Sequence, residues 1–106
     1  MIITTTNKIE GKTIVNYIGI VTGETIIGAN FVKDIFASIT DFFGGRSESY
    51  ERVLREAKDT ALRELEQRAN QMNANAIVGV SFNYEAIGKT SSMLMVTVTG
   101  TAVNII

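Results

Sequence analysis

Residues 47–72 carry the pattern that most constrains this fold, because apolar side chains recur there every three or four positions. This spacing places them on one face of an α-helix, which would be about 38 Å long at its usual rise. Ser47 is a suitable first capping residue, and Asn73 can adopt the left-handed conformation that ends a helix. The apolar positions are Tyr50, Val53, Leu54, Ala57, Ala61, Leu62, Leu65, Ala69 and Met72.

Two segments after this helix, residues 77–87 and 93–103, alternate apolar and polar residues as half-buried strands do. With a turn over 88–92, they predict an antiparallel hairpin packed on the long helix. The apolar face of the first strand is expected to hold Val78, Val80, Phe82 and Tyr84. The apolar face of the second is expected to hold Leu94, Val96, Val98 and Ala102, with Met93, Met95, Thr97, Thr99 and Thr101 opposite.

The N-terminal segment predicts two more strands, over residues 2–6 and 13–22, the second ending at Gly23-Glu24. Residues 13–22 are β-branched and apolar on both alternating sets. Such a strand is covered on both faces, or lies with one face on the core and the other on a neighbouring subunit.

Asn30 is a suitable cap for a short helix over residues 31–43, which holds four of the five phenylalanines. We expect this helix to lie between the core and a partner subunit, with Phe36 and Phe42 in the interface. Insertion into a membrane surface is the alternative, but the polar face lacks the basic residues that such helices use.

These elements predict an α+β fold of order β-β-α-α-β-β, an antiparallel sheet with one long and one short helix on one face. We expect a single domain over residues 1–106. The apolar content of 45% is high for so small a chain, which indicates a surface for self-association.

Composition limits the function classes. The 10 basic and 11 acidic residues form no basic stripe, which argues against a nucleic-acid partner. The chain has no histidine or cysteine, so a binding protein is favoured over an enzyme. No apolar run is long enough to span a membrane, and no signal peptide is recognisable, so we expect a cytoplasmic protein.

Gly44, Gly45, Arg46 and Ser47 form a glycine-rich turn that leads directly into the long helix. The first N–H groups of a helix lack internal partners and carry partial positive charge, so this turn is a candidate anion site. Tyr50, Glu51 and Glu24 would shape it. The alternative is a sharp turn between helices, with Arg46 facing solvent or pairing with a neighbouring subunit.

Metal ligands are scarce. Met93 and Met95 are the soft ligands closest together in the sequence, and Met-x-Met can hold Cu(I), although methionines on a strand usually only pack. The carboxylates of Glu24, Asp34, Asp41 and Glu85 show no recognised ligand spacing.

Several blocks along the whole chain resemble the YbjQ family, small bacterial proteins that carry a heavy-metal-binding label. The blocks are Gly23-Glu24, Gly28-Ala29-Asn30, Gly44-Gly45-Arg46-Ser47 with Tyr50-Glu51, Ala76-Ile77-Val78-Gly79, Ser92-Met93-Leu94-Met95-Val96 and Gly100-Thr101-Ala102-Val103. One departure is Asn73, which stands where the family has glycine.

The resemblance implies a dodecin-like subunit that assembles into a ring, a pentamer. The family label suggests a metal ion, but none of the residues that carry the resemblance is a strong soft-metal ligand, so the cofactor stays unassigned. From the residues themselves we expect a homo-oligomeric protein that binds a small anionic ligand at Gly44–Ser47. A metal-binding ring and a purely structural or scaffolding ring are the alternatives.

Overall fold

In a computed structural model, the described residues are 1–28, 48–89 and 93–106, and the side chains of residues 48–50 are not described. Four strands and one helix lie in these ranges: β1 (Ile2–Ile3), β2 (Ile14–Ile27), α1 (Glu48–Gln71), β3 (Ala76–Ile87) and β4 (Met93–Ile105). The strands form one sheet in the order β1-β3-β4-β2, and α1 packs on one face of it. The fold is therefore α+β. The short helix predicted over 31–43 lies outside the described residues.

The sheet is mixed, which corrects the prediction of a purely antiparallel sheet. β1 runs parallel to β3, with Ile2 opposite Ala76 and Ile3 opposite Ile77, whereas β4 runs antiparallel to both β2 and β3. β1 is also shorter than the predicted strand over 2–6. The backbone of Thr4 and Thr6 still bonds to β3, with the Thr4 N–H donating to the Ile77 carbonyl at 3.0 Å and the Gly79 N–H donating to the Thr6 carbonyl at 2.8 Å, but regular pairing ends where β3 bulges at Gly79.

The long helix is confirmed nearly to the residue. Ala57, Ala61, Leu65 and Ala69 form its buried stripe, with at most 5% of any of these side chains exposed. Asn73 has a φ of 63°, the predicted left-handed conformation. The next N–H, of Ala74, donates to the Ala69 carbonyl at 3.0 Å, which closes the end of the helix.

β2 extends five residues beyond its predicted end, because Gly23 lies inside the strand rather than at a turn. A Cβ atom at this position would lie 2.1 Å from the Ala61 carbonyl oxygen and 2.9 Å from the Leu65 nitrogen. Gly23 therefore lets the backbone of α1 approach the sheet closely, and it breaks no strand.

The predicted apolar face of β3 is corrected at Gly79, whose φ of 63° marks a β-bulge. Two residues of β3 lie here opposite one of β4, so the side-chain alternation shifts by one position. Val78 consequently points away from α1, while Ile77 and Val80 both pack beneath it. The predicted face of β4 is confirmed, since Leu94, Val96, Val98 and Ala102 all pack on the helix side.

A second, smaller apolar cluster lies on the other sheet face, at the end of the sheet that holds β1. It contains Ala76, Val78, Val103 and Ile105. Ile9, from the loop between β1 and β2, packs against it. The remainder of that face carries no described helix or loop.

Candidate functional site

Most of the predicted anion site lies outside the described residues, which do not include Gly44, Gly45, Arg46 or Ser47. Tyr50 and Glu51 belong to the first turn of α1, as predicted. Glu24 lies elsewhere in the subunit. Its carboxylate is 3.4 Å from Arg68, which is 17 residues, or about 25 Å, along the helix from Glu51. Within one subunit, Glu24 is therefore far from Glu51.

Arg68 forms polar contacts with β2 that the sequence did not predict. Its Nη1 donates to the Thr22 carbonyl oxygen at 2.6 Å and to the Thr22 hydroxyl at 3.2 Å. Its Nη2 pairs with Glu64 one helical turn earlier. The spacing of four residues between Glu64 and Arg68 accounts for this pair alone. The Arg68 side chain reaches β2 because Gly23 lets α1 lie close to that strand. No local sequence pattern indicates this close approach.

The contacts of Arg68 lie at the outer edge of β2. In the described sheet β2 pairs with β4 alone, so its other edge presents backbone groups without a strand partner. Such an edge is a template for pairing with another chain. Arg68 occupies the Thr22 carbonyl on that edge and leaves the rest of the edge to other partners.

We call the sheet face opposite α1 the open face. The strand register places on it the side chains of residues 17, 20, 22, 24 and 26 of β2, the odd-numbered residues 93–101 of β4 and the odd-numbered residues 81–87 of β3. Thr22, Thr99 and Ser81 form a polar row across its middle, in which the Ser81 and Thr99 hydroxyls lie 3.3 Å apart. Apolar side chains border this row.

The apolar residues that β2 presents there are unusually exposed. Ile20 is 80% exposed and Tyr17 is 68% exposed, and Ile26 is also exposed. Single exposed apolar residues are ordinary. Three on one face of one strand, beside an edge without a strand partner, indicate a contact surface.

Both candidate soft-metal ligands lie on the open face. Met95 lies opposite Ile26 of β2 and Glu85 of β3, and Met93 lies opposite Ile87. Two thioethers and one carboxylate therefore share one end of this face. Within the described ranges, no three His, Cys, Asp or Glu residues come together as a metal-binding group.

The chain was compared with known proteins. A family model described as "Putative heavy-metal-binding" matches residues 1–106 and is that of the YbjQ family. The chain belongs to the YbjQ family. A UPF0145 protein from Acetivibrio thermocellus is 60% identical over 103 residues, which are 97% of each chain.

Among solved structures, a Pediococcus pentosaceus protein with unknown function, from the DUF74 family, has a similar fold. Its TM-score is 0.64 at 20% identity, and the match covers 100% of this chain and 98% of that one. At this identity the likeness supports the fold alone. No helix within residues 1–28, 48–89 and 93–106 of this YbjQ-family chain is long and apolar enough to cross a membrane.

The family description raises the question of which donors would hold a heavy metal. Thioether sulfur suits soft ions such as Cu(I), and Met93 and Met95 supply two such atoms. Glu85 would add an oxygen, a ligand better suited to harder ions. Two sulfurs are few for a tight soft-metal site in one subunit, so a site here would draw on equivalent methionines of neighbouring copies.

Proposed function

We propose that this YbjQ-family chain is a homo-oligomeric ligand-binding protein, a pentameric ring, and not an enzyme. The observation that carries the proposal is the exposure of Tyr17, Ile20 and Ile26 on one face of an edge strand. Covering apolar surface contributes about 25 cal/mol per Å². The partner that we propose for this surface is a second copy of the chain.

The sheet edges favour a head-to-tail arrangement of copies. In the described sheet, one edge is β2 over its whole length, and the other is the part of β3 that the short β1 leaves unpaired. Joining two unlike edges is a heterologous contact, which repeats from copy to copy and closes into a ring when the rotation allows. The number five comes from the family resemblance.

Oligomer mass tests this contact, with two isoleucines as a matched pair. Ile20 and Ile106 are 80% and 76% exposed, but only Ile20 lies on the open face. We expect Ile20→Glu to release monomers, because a carboxylate buried without a partner costs several kcal/mol, and Ile106→Glu to retain the wild-type mass. Equal masses for the two variants in sedimentation velocity would contradict the proposed contact.

The ligand that we propose is a small anion at Gly44–Ser47, with Tyr50 and Glu51 beside it and Glu24 from a neighbouring subunit. Support comes from the sequence, in which two glycines and an arginine precede the start of α1. Isothermal titration with inorganic phosphate tests it. Arg46→Ala should abolish binding, whereas Arg52→Ala, six residues along the chain, should leave it unchanged.

Metal binding is the second candidate function, supported by the family description and by the common position of Met93, Met95 and Glu85 on the open face. We expect Met93→Leu with Met95→Leu to abolish retention of Ag(I), a stable soft-ion probe, through buffer exchange. Met72→Leu, against β2 at the far end of α1, is the control. Retention by the double variant would exclude these thioethers as the site.

The scaffolding alternative makes a different prediction. A purely structural ring binds neither phosphate nor Ag(I), and it loses function only when its assembly is broken. Native mass spectrometry of untagged protein after each incubation distinguishes the three hypotheses. A ring with bound anion, a ring with bound metal and a ring without a ligand differ in mass.

A further inference from the structure

The loop between β1 and β2 lines an open cavity of about 790 Å³, and most of its lining residues are exposed. Its lining comes from residues 2–12, all within the described part of the chain. Sites for small molecules usually measure about 300–1,000 Å³. The cavity thus has the size of a ligand site, and none of its lining residues belongs to either site discussed above.

The loop is held in place by hydrogen bonds at both ends. At one end, the Gly79 N–H donates to the Thr6 carbonyl at 2.8 Å. At the other end, Thr13 and Ile106 exchange backbone hydrogen bonds of 3.1 and 3.0 Å. Between them, the Thr6 hydroxyl donates to the Lys8 carbonyl at 2.6 Å. A loop fixed in this way needs little ordering when a ligand binds.

The lining combines apolar and cationic groups. Ile2 and Ile9 provide apolar surface, and Ile9 is held by the apolar cluster beneath it. Lys8 and Lys12 contribute two positive charges against the single carboxylate of Glu10. Among the described residues, neither lysine forms an ion pair or side-chain hydrogen bond. The charged lining residues therefore sum to +1, and no ion pair within the described ranges offsets either lysine.

We propose that this loop cavity binds a small aliphatic carboxylate. The carboxylate group pairs with Lys8 and Lys12, and the hydrocarbon chain covers Ile2 and Ile9. An inorganic anion would satisfy the lysines but leave both isoleucines exposed, so the lining favours a molecule with an apolar body. This proposal does not depend on the anion site at Gly44–Ser47 or on the metal site.

Titration of uniformly ¹⁵N-labelled, untagged protein with hexanoate tests the proposal. We expect saturable shifts in the backbone amides of residues 4–13, with a dissociation constant of about 1 mM. Acetate, which lacks most of the hydrocarbon chain, should bind about tenfold more weakly or worse. Inorganic phosphate that shifts the amides of residues 4–13 with an affinity equal to that of hexanoate would overturn the proposed role of the isoleucines.

Two charge-matched variants separate the cavity from general electrostatics. Lys8→Gln with Lys12→Gln should weaken hexanoate binding at least tenfold and leave the spectrum outside the loop unchanged, because both side chains are exposed. Arg52→Gln with Arg63→Gln, exposed residues on α1, should leave binding unchanged. Equal weakening in both variants, or shifts confined to residues outside the loop, would overturn the proposal.

Discussion

The two faces of the sheet differ in how closely they are covered. On the helix side, Ala61 and Leu65 are completely buried, and Gly23 brings the helix backbone almost into contact with β2. On the open face, Ile20 and Tyr17 remain more than two-thirds exposed. The chain therefore packs closely on itself at one face, with Gly23 and Ala61 at the nearest approach, and exposes large apolar residues at the other, where we infer contact with another copy. On this proposal, the same sheet serves folding with one face and assembly with the other.

The two faces differ most at Gly23, where the helix lies closest to the sheet. We expect a substitution there to cause the largest loss in the free energy of unfolding. Gly23→Ala places a Cβ atom 2.1 Å from the Ala61 carbonyl oxygen, so α1 must move away from the sheet. We expect a loss of more than about 3 kcal/mol in the free energy of unfolding. Urea unfolding followed by circular dichroism at fixed subunit concentration measures it. Gly28→Ala is the control, because that Cβ atom meets no atom of the described residues within 4 Å.

Val98 and Thr99 compare the two faces directly, because they are adjacent in β4 and point to opposite sides. Val98→Thr buries a hydroxyl group beneath α1, and we expect it to cost about 2 kcal/mol. Thr99→Val exchanges side chains of the same shape on the open face and should change stability by less than about 0.5 kcal/mol. Equal losses in urea unfolding would show that the two faces are buried alike.

The bulge at Gly79 determines which residues of β3 face the helix. Gly79→Ala meets no atom within 4 Å but forces an alanine into a φ of 63°. We expect a loss of about 1 kcal/mol from backbone strain alone, again in urea unfolding. A loss no larger than that of Gly28→Ala would contradict this account of the bulge.

The Arg68 side chain extends from the helix side to the edge of β2. We expect its substitution to have the smallest effect on the free energy of unfolding. Its side chain is 42% exposed, so solvent screens its pair with Glu24. Arg68→Gln should cost about 0.5 kcal/mol, less at high salt. Arg63→Gln is the matched control, since among the described residues Arg63 bonds only Thr60 of its own helix. An effect that does not depend on salt would mean that the Thr22 hydrogen bonds dominate instead.

Local patterns predicted the helix and the hairpin, because the apolar spacing of α1 and the alternation of β4 each determine one buried face. Asn73 was predicted for the same reason, since its conformation depends on the residue itself. Gly23 and Gly79 were misread because glycine marks a turn, a bulge or a close approach equally well. The parallel pairing of β1 depends on residues more than 70 positions apart, which no local pattern encodes.

The candidate sites were less predictable than the fold. Met93 and Met95 share a face because strand alternation requires it, but Glu85 joins them only through the β3–β4 register. The contacts of Arg68 with β2 and the cavity around Lys8 and Lys12 depend on tertiary structure. The anion site at Gly44–Ser47 remains a sequence prediction, as does the cytoplasmic location.

The central claim is that the open face of β2 meets another copy of the chain. The native mass of the untagged wild-type protein tests it most directly, because a histidine tag would add metal ligands that the chain lacks. We predict a mass five times the 11.6 kDa of one chain, retained after buffer exchange. A mass of a single chain at micromolar concentration would contradict the account.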